Sequence, residues 1–373
     1  MKRKIRMGMV GGGPGAFIGS AHRCAARLDG LIELVCGAFS SHPDKCRAAG
    51  KELFLPEERC YASYDEMFEK EALLPEGERM DFVSITTPNH THFKIAMKAL
   101  ECGFHVVCEK PMTTTVEEAE ALAAEVRKTG LLFCLTHNYT AYPMVRVAKR
   151  MARGGELGEI RRIMVEYPQG WLADAVTPDN IQGSWRTNPA TSGISCCMGD
   201  IGSHAENLAE FITGLKITEL CANIKTFVPG RALDDDGDVL LRFDNGAIGA
   251  LSASQVAVGE ENALKIRIYG TKAALEWRQE NPETLIVKYN DRPAQLMRRN
   301  WAGVGAEWSR LPAGHPEGFF EAFGNLYRDM ALAIDARLTG GTHETEYPTV
   351  EDGLRGVRFI HAVVGSKGAW VKL

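Results

Sequence analysis

Three short runs carry side chains suited to taking a proton from an alcohol. Cys108-Glu109-Lys110-Pro111 holds a lysine whose ammonium can hydrogen-bond a substrate oxygen and favour its ionised form. Asp200-Ile201-Gly202-Ser203-His204 sets a carboxylate and an imidazole four residues apart. A helix beginning near Asp200 puts both on one face. A histidine near its ordinary pKa suits proton transfer. The third run, Thr86-Thr87-Pro88-Asn89-His90-Thr91-His92, follows an apolar strand, at the edge where open α/β sheets bind ligands. Each run has a plainer reading. Lys110 can be a surface lysine, Asp200 a helix cap, His204 a satisfied buried ring and Pro88-Asn89 an ordinary turn.

The stretch Val10 to His22, VGGGPGAFIGSAH, lies between a short apolar run and a helical pattern. Gly11-x-Gly13-x-x-Ala16 fits a dinucleotide loop, whose glycines let the backbone approach a pyrophosphate at a helix N-terminus. Gly19 comes one residue late for the same pattern started at Gly13 and Gly15. The second strand ends Ala38-Phe39-Ser40-Ser41-His42, with no carboxylate for the ribose hydroxyls. Ser40 can bond a ribose hydroxyl, and nothing there repels a 2′-phosphate. NAD is the expected cofactor, with NADP open.

The elements that hold these runs alternate in the first part of the chain. Strands are expected at 5–10, 31–39, 80–86, 105–108 and 131–136, and helices from 18 and at 43–52, 93–102 and 116–128. Such alternation implies βαβ units and a parallel sheet. After about Tyr139 the pattern changes. A helix at 144–151 is followed by strands at 163–167, 217–228, 238–243, 247–258, 264–269, 273–278 and 284–289, with turns at Asp244-Asn245-Gly246 and Gly270-Thr271-Lys272. Residues 290–316 read as irregular and 349–364 as a helix. The expected fold class is therefore α/β: an N-terminal Rossmann domain over 1–140 and an α/β domain over 141–373. The second domain has a large open, mostly antiparallel sheet, and the C-terminal helix is free to pack back on the first domain. An open sheet face must be covered, and self-association covers it.

Composition excludes several classes. The chain has 373 residues and net charge −5, so no basic stripe suggests a nucleic acid partner. No apolar run reaches the roughly 18 residues of a membrane span. The basic start Met-Lys-Arg-Lys-Ile-Arg imitates a signal peptide, but Gly11 to Gly15 interrupt the apolar core such a peptide needs. The ten cysteines are scattered without a C-x-x-C pair, read as reduced thiols of a cytoplasmic protein; no metal is expected.

Together, the Thr-Pro-Asn-His-x-His run at 87–92, Glu-Lys-Pro at 109–111, Trp185-Arg186 and Asp-x-Gly-x-His at 200–204 resemble, in order and spacing, the Gfo/Idh/MocA family of glucose–fructose oxidoreductase and inositol dehydrogenase. The resemblance covers nearly the whole chain. It implies hydride transfer between NAD(P) and a hydroxyl carbon of a sugar, glycoside or cyclitol, in a homo-oligomer, dimer or tetramer. It implies that Lys110 orients and polarises the hydroxyl, that His204 is the general base, and that Asp200 beside it binds substrate. Cofactor contacts are expected from Gly11, Gly13, Pro14, Phe17, Ile18, Ser40, Thr87, Pro88, Asn89, His92, Glu109, Lys110 and Asn138. Substrate contacts are expected from Lys110, Tyr139, Trp185, Arg186, Asp200 and His204, with Tyr142 and His315 as weaker candidates. Three departures stand out. Ser192-Gly193-Ile194-Ser195-Cys196-Cys197 replaces a glycine run, Asn207 stands where an acid is common, and Pro14 to Phe17 insert into the first loop, which is expected to arch toward the pyrophosphate. Two other activities stay open: redox-neutral, NAD-dependent glycoside cleavage, and cofactor sensing without catalysis.

Overall fold

The structure, a computed structural model, describes residues 1–13 and 15–373; Pro14, one of the expected cofactor contacts, lies outside the described residues. The chain forms two compact units. The first comprises Met1–Thr113, Glu117–Asn138 and Phe319–Leu354, and the second Thr114–Val116, Tyr139–Gly318 and Arg355–Leu373.

In the first unit, β1 (Ile5–Gly11), β2 (Ile32–Ala38), β3 (Phe82–Thr86), β4 (His105–Cys108) and β5 (Phe133–Leu135) form a parallel sheet of order β2-β1-β3-β4-β5. Between and after them run α1 (Phe17–Arg27), α2 (Pro43–Glu52), α3 (Tyr64–Leu73), α4 (His92–Glu101) and α5 (Val116–Thr129). β3 is buried along its whole length, as a parallel strand covered on both faces must be. Gly11 pairs with Thr86, Ile85 with Cys108, and Cys108 with Leu135. This register brings the loops after β1, β3, β4 and β5 out side by side. The strand order reverses between β1 and β3, the place where open α/β sheets take ligands.

The helix Phe319–Thr339 also belongs to this unit. Its Phe323 and Tyr327 rings lie 4.9 and 5.7 Å from the ring of His22 on α1, and Tyr327 lies 6.2 Å from Phe82 on β3. A single cut at 140/141 does not describe this arrangement, because a segment distant in sequence covers the first sheet's helix layer.

The second unit continues with α6 (Pro143–Arg153), β6 (Ile160–Pro168), α7 (Ile181–Arg186), α8 (Pro189–Ser192), α9 (Ser203–Thr213), β7 (Ile217–Lys225), β8 (Asp236–Phe243), β9 (Ile248–Ser254), β10 (Lys265–Gly270), β11 (Ala274–Arg278), β12 (Thr284–Lys288) and β13 (Gln295–Arg298). In chain order the first unit's long helix is α10; α11 (Val350–Ser366) and β14 (Trp370–Lys372) follow. The nine strands run in the order β13-β12-β11-β10-β6-β9-β8-β7-β14, antiparallel except for β6 beside β9. β13 falls within the stretch read as irregular; its pairing with β12, not any period of its own, makes it a strand. Val239, Leu241 and Phe243 of β8 point to the face that α6 and α9 help cover. On the opposite face Leu240 and Ile248 are half exposed among ion pairs such as Arg242–Glu219 and Lys265–Glu166.

Candidate functional site

The candidate cofactor loop is shaped by what it lacks. Gly11 and Gly12 have φ of +78° and +65°, in the left-handed region that favours glycine. A Cβ on Gly12 would lie 2.6 Å from Thr86 Oγ1, and one on Gly19 would lie 2.3 Å from the Cα of Gly12. The first turn of α1 therefore packs directly on the loop. That turn has no acidic residue and no capping side chain on its N-terminal amides. Open amides on a glycine cradle fit a pyrophosphate. Gly13 and Ile18 are part-exposed beside the cradle. Phe17 is exposed, its ring 6.3 Å from that of Phe319. Ser40 Oγ accepts the His42 amide at 3.1 Å, which leaves the hydroxyl proton to donate.

The loop after β3 carries Thr87, exposed Pro88, and buried Asn89 and His92. His92 sits with Nε2 2.8 Å from Thr87 O and Nδ1 2.9 Å from Pro111 O. It thus staples this loop to the one after β4. A neutral ring has one N–H for these two carbonyls; burial holds His92 below its ordinary pKa against their pull.

Glu109 follows β4 at one end of a buried run of hydrogen-bonded side chains. Its Oε1 is 2.8 Å from His22 Nε2, and Thr136 Oγ1 also donates to it. His22 Nδ1 lies 2.6 Å from the Tyr327 hydroxyl and 3.3 Å from Ser84 Oγ, and those two hydroxyls are 2.8 Å apart. Burial pushes the Glu109 carboxyl up, but His22, Lys110 and Thr136 together hold it below its usual value. The Lys110 amide donates to Glu109 Oε2 at 3.3 Å, and the peptide from Lys110 to Pro111 is cis. His137 is fully buried; burial, then the charge of Lys110, lowers its pKa to about 3. Asn138 is buried at the end of the same strand-end loop.

In the second unit, Asp200 lies in a π-helical turn, Met198–Gly202, that runs into α9. Such turns often sit at functional sites. His204 is the second residue of α9 and is buried, and Gly214, at φ +75°, ends that helix as a left-handed cap. Asp200 Oδ2 accepts Arg186 Nε and Gln255 Nε2, each at 3.0 Å. The Arg186 guanidinium carbon lies 4.3 Å from the Trp185 ring centre and 5.6 Å from that of Trp171.

His204 packs edge-on against Tyr139, with ring centres 4.8 Å apart. Tyr167 donates to Asn262 Oδ1 at 2.6 Å, so in its 2.6 Å contact with Tyr139 it must accept. Asn262 Nδ2 then donates to Tyr139 at 3.2 Å, closing a three-membered ring of hydrogen bonds. Burial pushes the Tyr167 phenol well above its ordinary pKa, so the ring stays neutral. Tyr142 stacks on Tyr139 at 6.3 Å. His315 gives its carbonyl to Arg299.

The sequence motifs thus fall into two groups, one on each unit. Ser84, Tyr327, Tyr167, Asn262 and Gln255 carry no motif and were not among the sequence candidates. Among the described residues, no His, Cys, Asp and Glu cluster could hold a metal ion, and no helix is long and apolar enough to cross a membrane.

Comparison with known proteins agrees with this architecture. Residues 5–137 match the oxidoreductase family with an NAD-binding Rossmann fold, and residues 145–276 match the GFO/IDH/MocA C-terminal domain. The chain is 34% identical to the uncharacterized oxidoreductase YfiI of Bacillus subtilis, over 100% of this chain and 98% of that protein. It is 27% identical to levoglucosan dehydrogenase of Pseudarthrobacter phenanthrenivorans, over 77% of each. Among solved structures, an inositol dehydrogenase homologue from Azotobacter vinelandii, complexed with NADH and myo-inositol, superposes with a TM-score of 0.91 at 36% identity, covering 100% of this chain and 98% of that one.

Proposed function

Because this chain belongs to the Gfo/Idh/MocA family of NAD-binding oxidoreductases, we propose that it oxidises a ring hydroxyl of a sugar, glycoside or cyclitol. NAD supplies the acceptor for the hydride leaving carbon. The protein's own task is the proton on oxygen. His204 takes that proton, Lys110 hydrogen-bonds the oxygen as charge builds on it, and Asp200 holds a neighbouring substrate hydroxyl. One observation carries the reading: a buried imidazole, fixed edge-on by a closed hydrogen-bonded frame, four residues after a carboxylate that two donors clamp. Those constraints suit a reacting base better than a passive core histidine.

NAD is the preferred cofactor, with Ser40 offered to the ribose, and NADP the alternative. The protein works as a homo-oligomer that covers the half-exposed Leu240 and Ile248 face of the nine-stranded sheet. Its cysteines stand as thiols, which fits the cytoplasm.

The test is a panel of myo-inositol, scyllo-inositol, levoglucosan and glucose with NAD+ or NADP+, read at the nicotinamide absorbance. His204→Ala and Lys110→Ala should each lose about 10²- to 10⁴-fold in turnover, with NADH still bound by fluorescence. Near-parental turnover in both variants would refute the assignment. Glycoside cleavage without net NADH would replace it with the redox-neutral chemistry.

A further inference from the structure

Cys196 lies in the run where the family resemblance leads one to expect glycines, and the proposed reaction gives it no task. It is fully buried in a cluster with Leu172 and Leu233. Its main chain is pinned, because the Cys196 amide donates to Asp234 Oδ1 at 3.0 Å. Its thiol donates to Gln255 Oε1 at 3.3 Å. Gln255 is also fully buried and pinned, its amide donating to Asp235 O at 2.8 Å and its carbonyl accepting Leu172 N at 3.1 Å. Its Nε2 then reaches Asp200 Oδ2 at 3.0 Å, the oxygen that also takes Arg186 Nε.

The direction of this chain is forced. An ionised carboxylate only accepts, so it needs the NH2 end of Gln255. That leaves the amide oxygen facing Cys196, and a thiol has a proton to give it. With the amide turned over, two oxygens would oppose each other at Asp200, and the amide N–H would meet a poor acceptor at sulfur.

We infer that Cys196 is an orientation lock: its S–H fixes the Gln255 amide so that Gln255 and Arg186 together aim the Asp200 carboxylate. Cys196 and Gln255 are positioning residues for the dehydrogenase. The inference rests on the reading of Asp200 as a substrate-binding group. A glycine at 196 has no side chain and cannot act this way, so the lock is a feature of this chain and bears on which polyol it accepts.

The test compares Cys196→Ser, Cys196→Ala, Gln255→Leu and Asp200→Asn, using NAD+ and the panel polyol that the parent protein turns over fastest. Cys196→Ser keeps a donor and should keep kcat within about 3-fold, while Cys196→Ala should lose roughly 10-fold and Gln255→Leu roughly 100-fold through misplacement of the carboxylate. NADH affinity should hold in all four. A packing role alone would reverse the first two, since burying a hydroxyl costs more than trimming a sulfur to a methyl. A second readout needs no substrate. The infrared S–H stretch of Cys196, identified by its loss in Cys196→Ser, should sit at a hydrogen-bonded frequency and move to that of a free thiol in Gln255→Leu. An unmoved band, or serine faring no better than alanine, overturns the lock. If Asp200→Asn itself keeps full turnover, the reading of Asp200 fails instead, and the thiol band still reports whether Cys196 holds the amide.

Discussion

In the first unit the candidate cofactor loop and the His92 staple are held through main chain. Gly12 and Gly19 touch with no room for a methyl, and His92 faces the carbonyls of Thr87 and Pro111. In the second unit the candidate chemistry is held through side chains. Arg186 and Gln255 clamp Asp200, and Tyr167 and Asn262 fix Tyr139 beside His204. A backbone-built site fails when atoms are added. A side-chain-built site fails when a single polar atom is taken away. The first kind suits a cofactor shared across a family, and the second can be retuned one residue at a time to a new polyol.

The largest effect should come from adding one methyl to the first unit. In Gly19→Ala the new Cβ meets Gly12 Cα at 2.3 Å and Gly12 O at 2.4 Å, which are main-chain atoms that cannot rotate away. About 1–3 kcal/mol of overpacking follows, or roughly 10- to 100-fold in NADH affinity where it falls on the loop. The matched change in the second unit is Gly199→Ala, whose Cβ would find only Ser195 at 3.6 Å, ordinary contact. Titration of NADH fluorescence should separate the two. Equal losses, or a loss only at 199, would break the comparison.

Acid should also separate the units. Three histidines of the first unit, buried His92 and His137 and part-buried His105, have lowered pKa values, all chiefly through loss of water around the ring: His105 at about 4 and His137 at about 3. A histidine whose folded pKa lies below its unfolded value of 6.5 gives its full stability above 6.5. That stability is lost as pH falls from there toward the folded pKa, at about 1.4 kcal/mol for each unit between the two. Glu109, also lowered in balance, adds loss at lower pH. In the second unit, burial raises Asp234, which acts in the opposite sense, while Glu276, lowered chiefly by its hydrogen bond from Lys288, loses stability only as pH falls through the carboxylate range, below the histidines. The first unit should therefore unfold first. All six tryptophans, at 171, 185, 277, 301, 308 and 370, belong to the second unit. Far-UV circular dichroism should thus begin to fall at a higher pH than the tryptophan signal changes. Coincident curves would show that acid does not distinguish them.

The same contrast governs what could be read from sequence. The cofactor loop, the α2 bounds at 43–52, the Gly214 cap and the Asp244–Gly246 hairpin are local, and residue type over a few positions specifies them. Two of the longer helices, α3 and α10, lie in stretches where no element is expected from sequence. For α3 a local signal existed: Ser63 Oγ accepts the Glu66 amide and Glu66 reaches back to Ala62, a capping box. For α10 the signal was apolar spacing, with Phe323, Leu326, Tyr327, Met330 and Ile334 buried. The pairs that fix the candidate site had none. Tyr327 meets His22 across 305 residues and Gln255 meets Asp200 across 55, and nothing in either local run encodes its partner.

The smallest effect tests the second unit's frame. Tyr167→Phe removes one oxygen and nothing else. Asn262 Oδ1 keeps a donor in Gln169 Nε2 at 2.8 Å, whereas the Tyr139 hydroxyl loses the oxygen it donates to. Tyr139 is buried, so this costs about 1–3 kcal/mol of stability, seen as a lower midpoint of thermal unfolding. The Tyr139 ring still packs against His204, so kcat should fall by less than about 10-fold, well short of the loss from removing the imidazole. NADH affinity should stay at the parental value, because no group of the first unit is altered. A drop in NADH binding from this change would mean that the two kinds of construction are not independent, and the contrast between the units would then have to be given up.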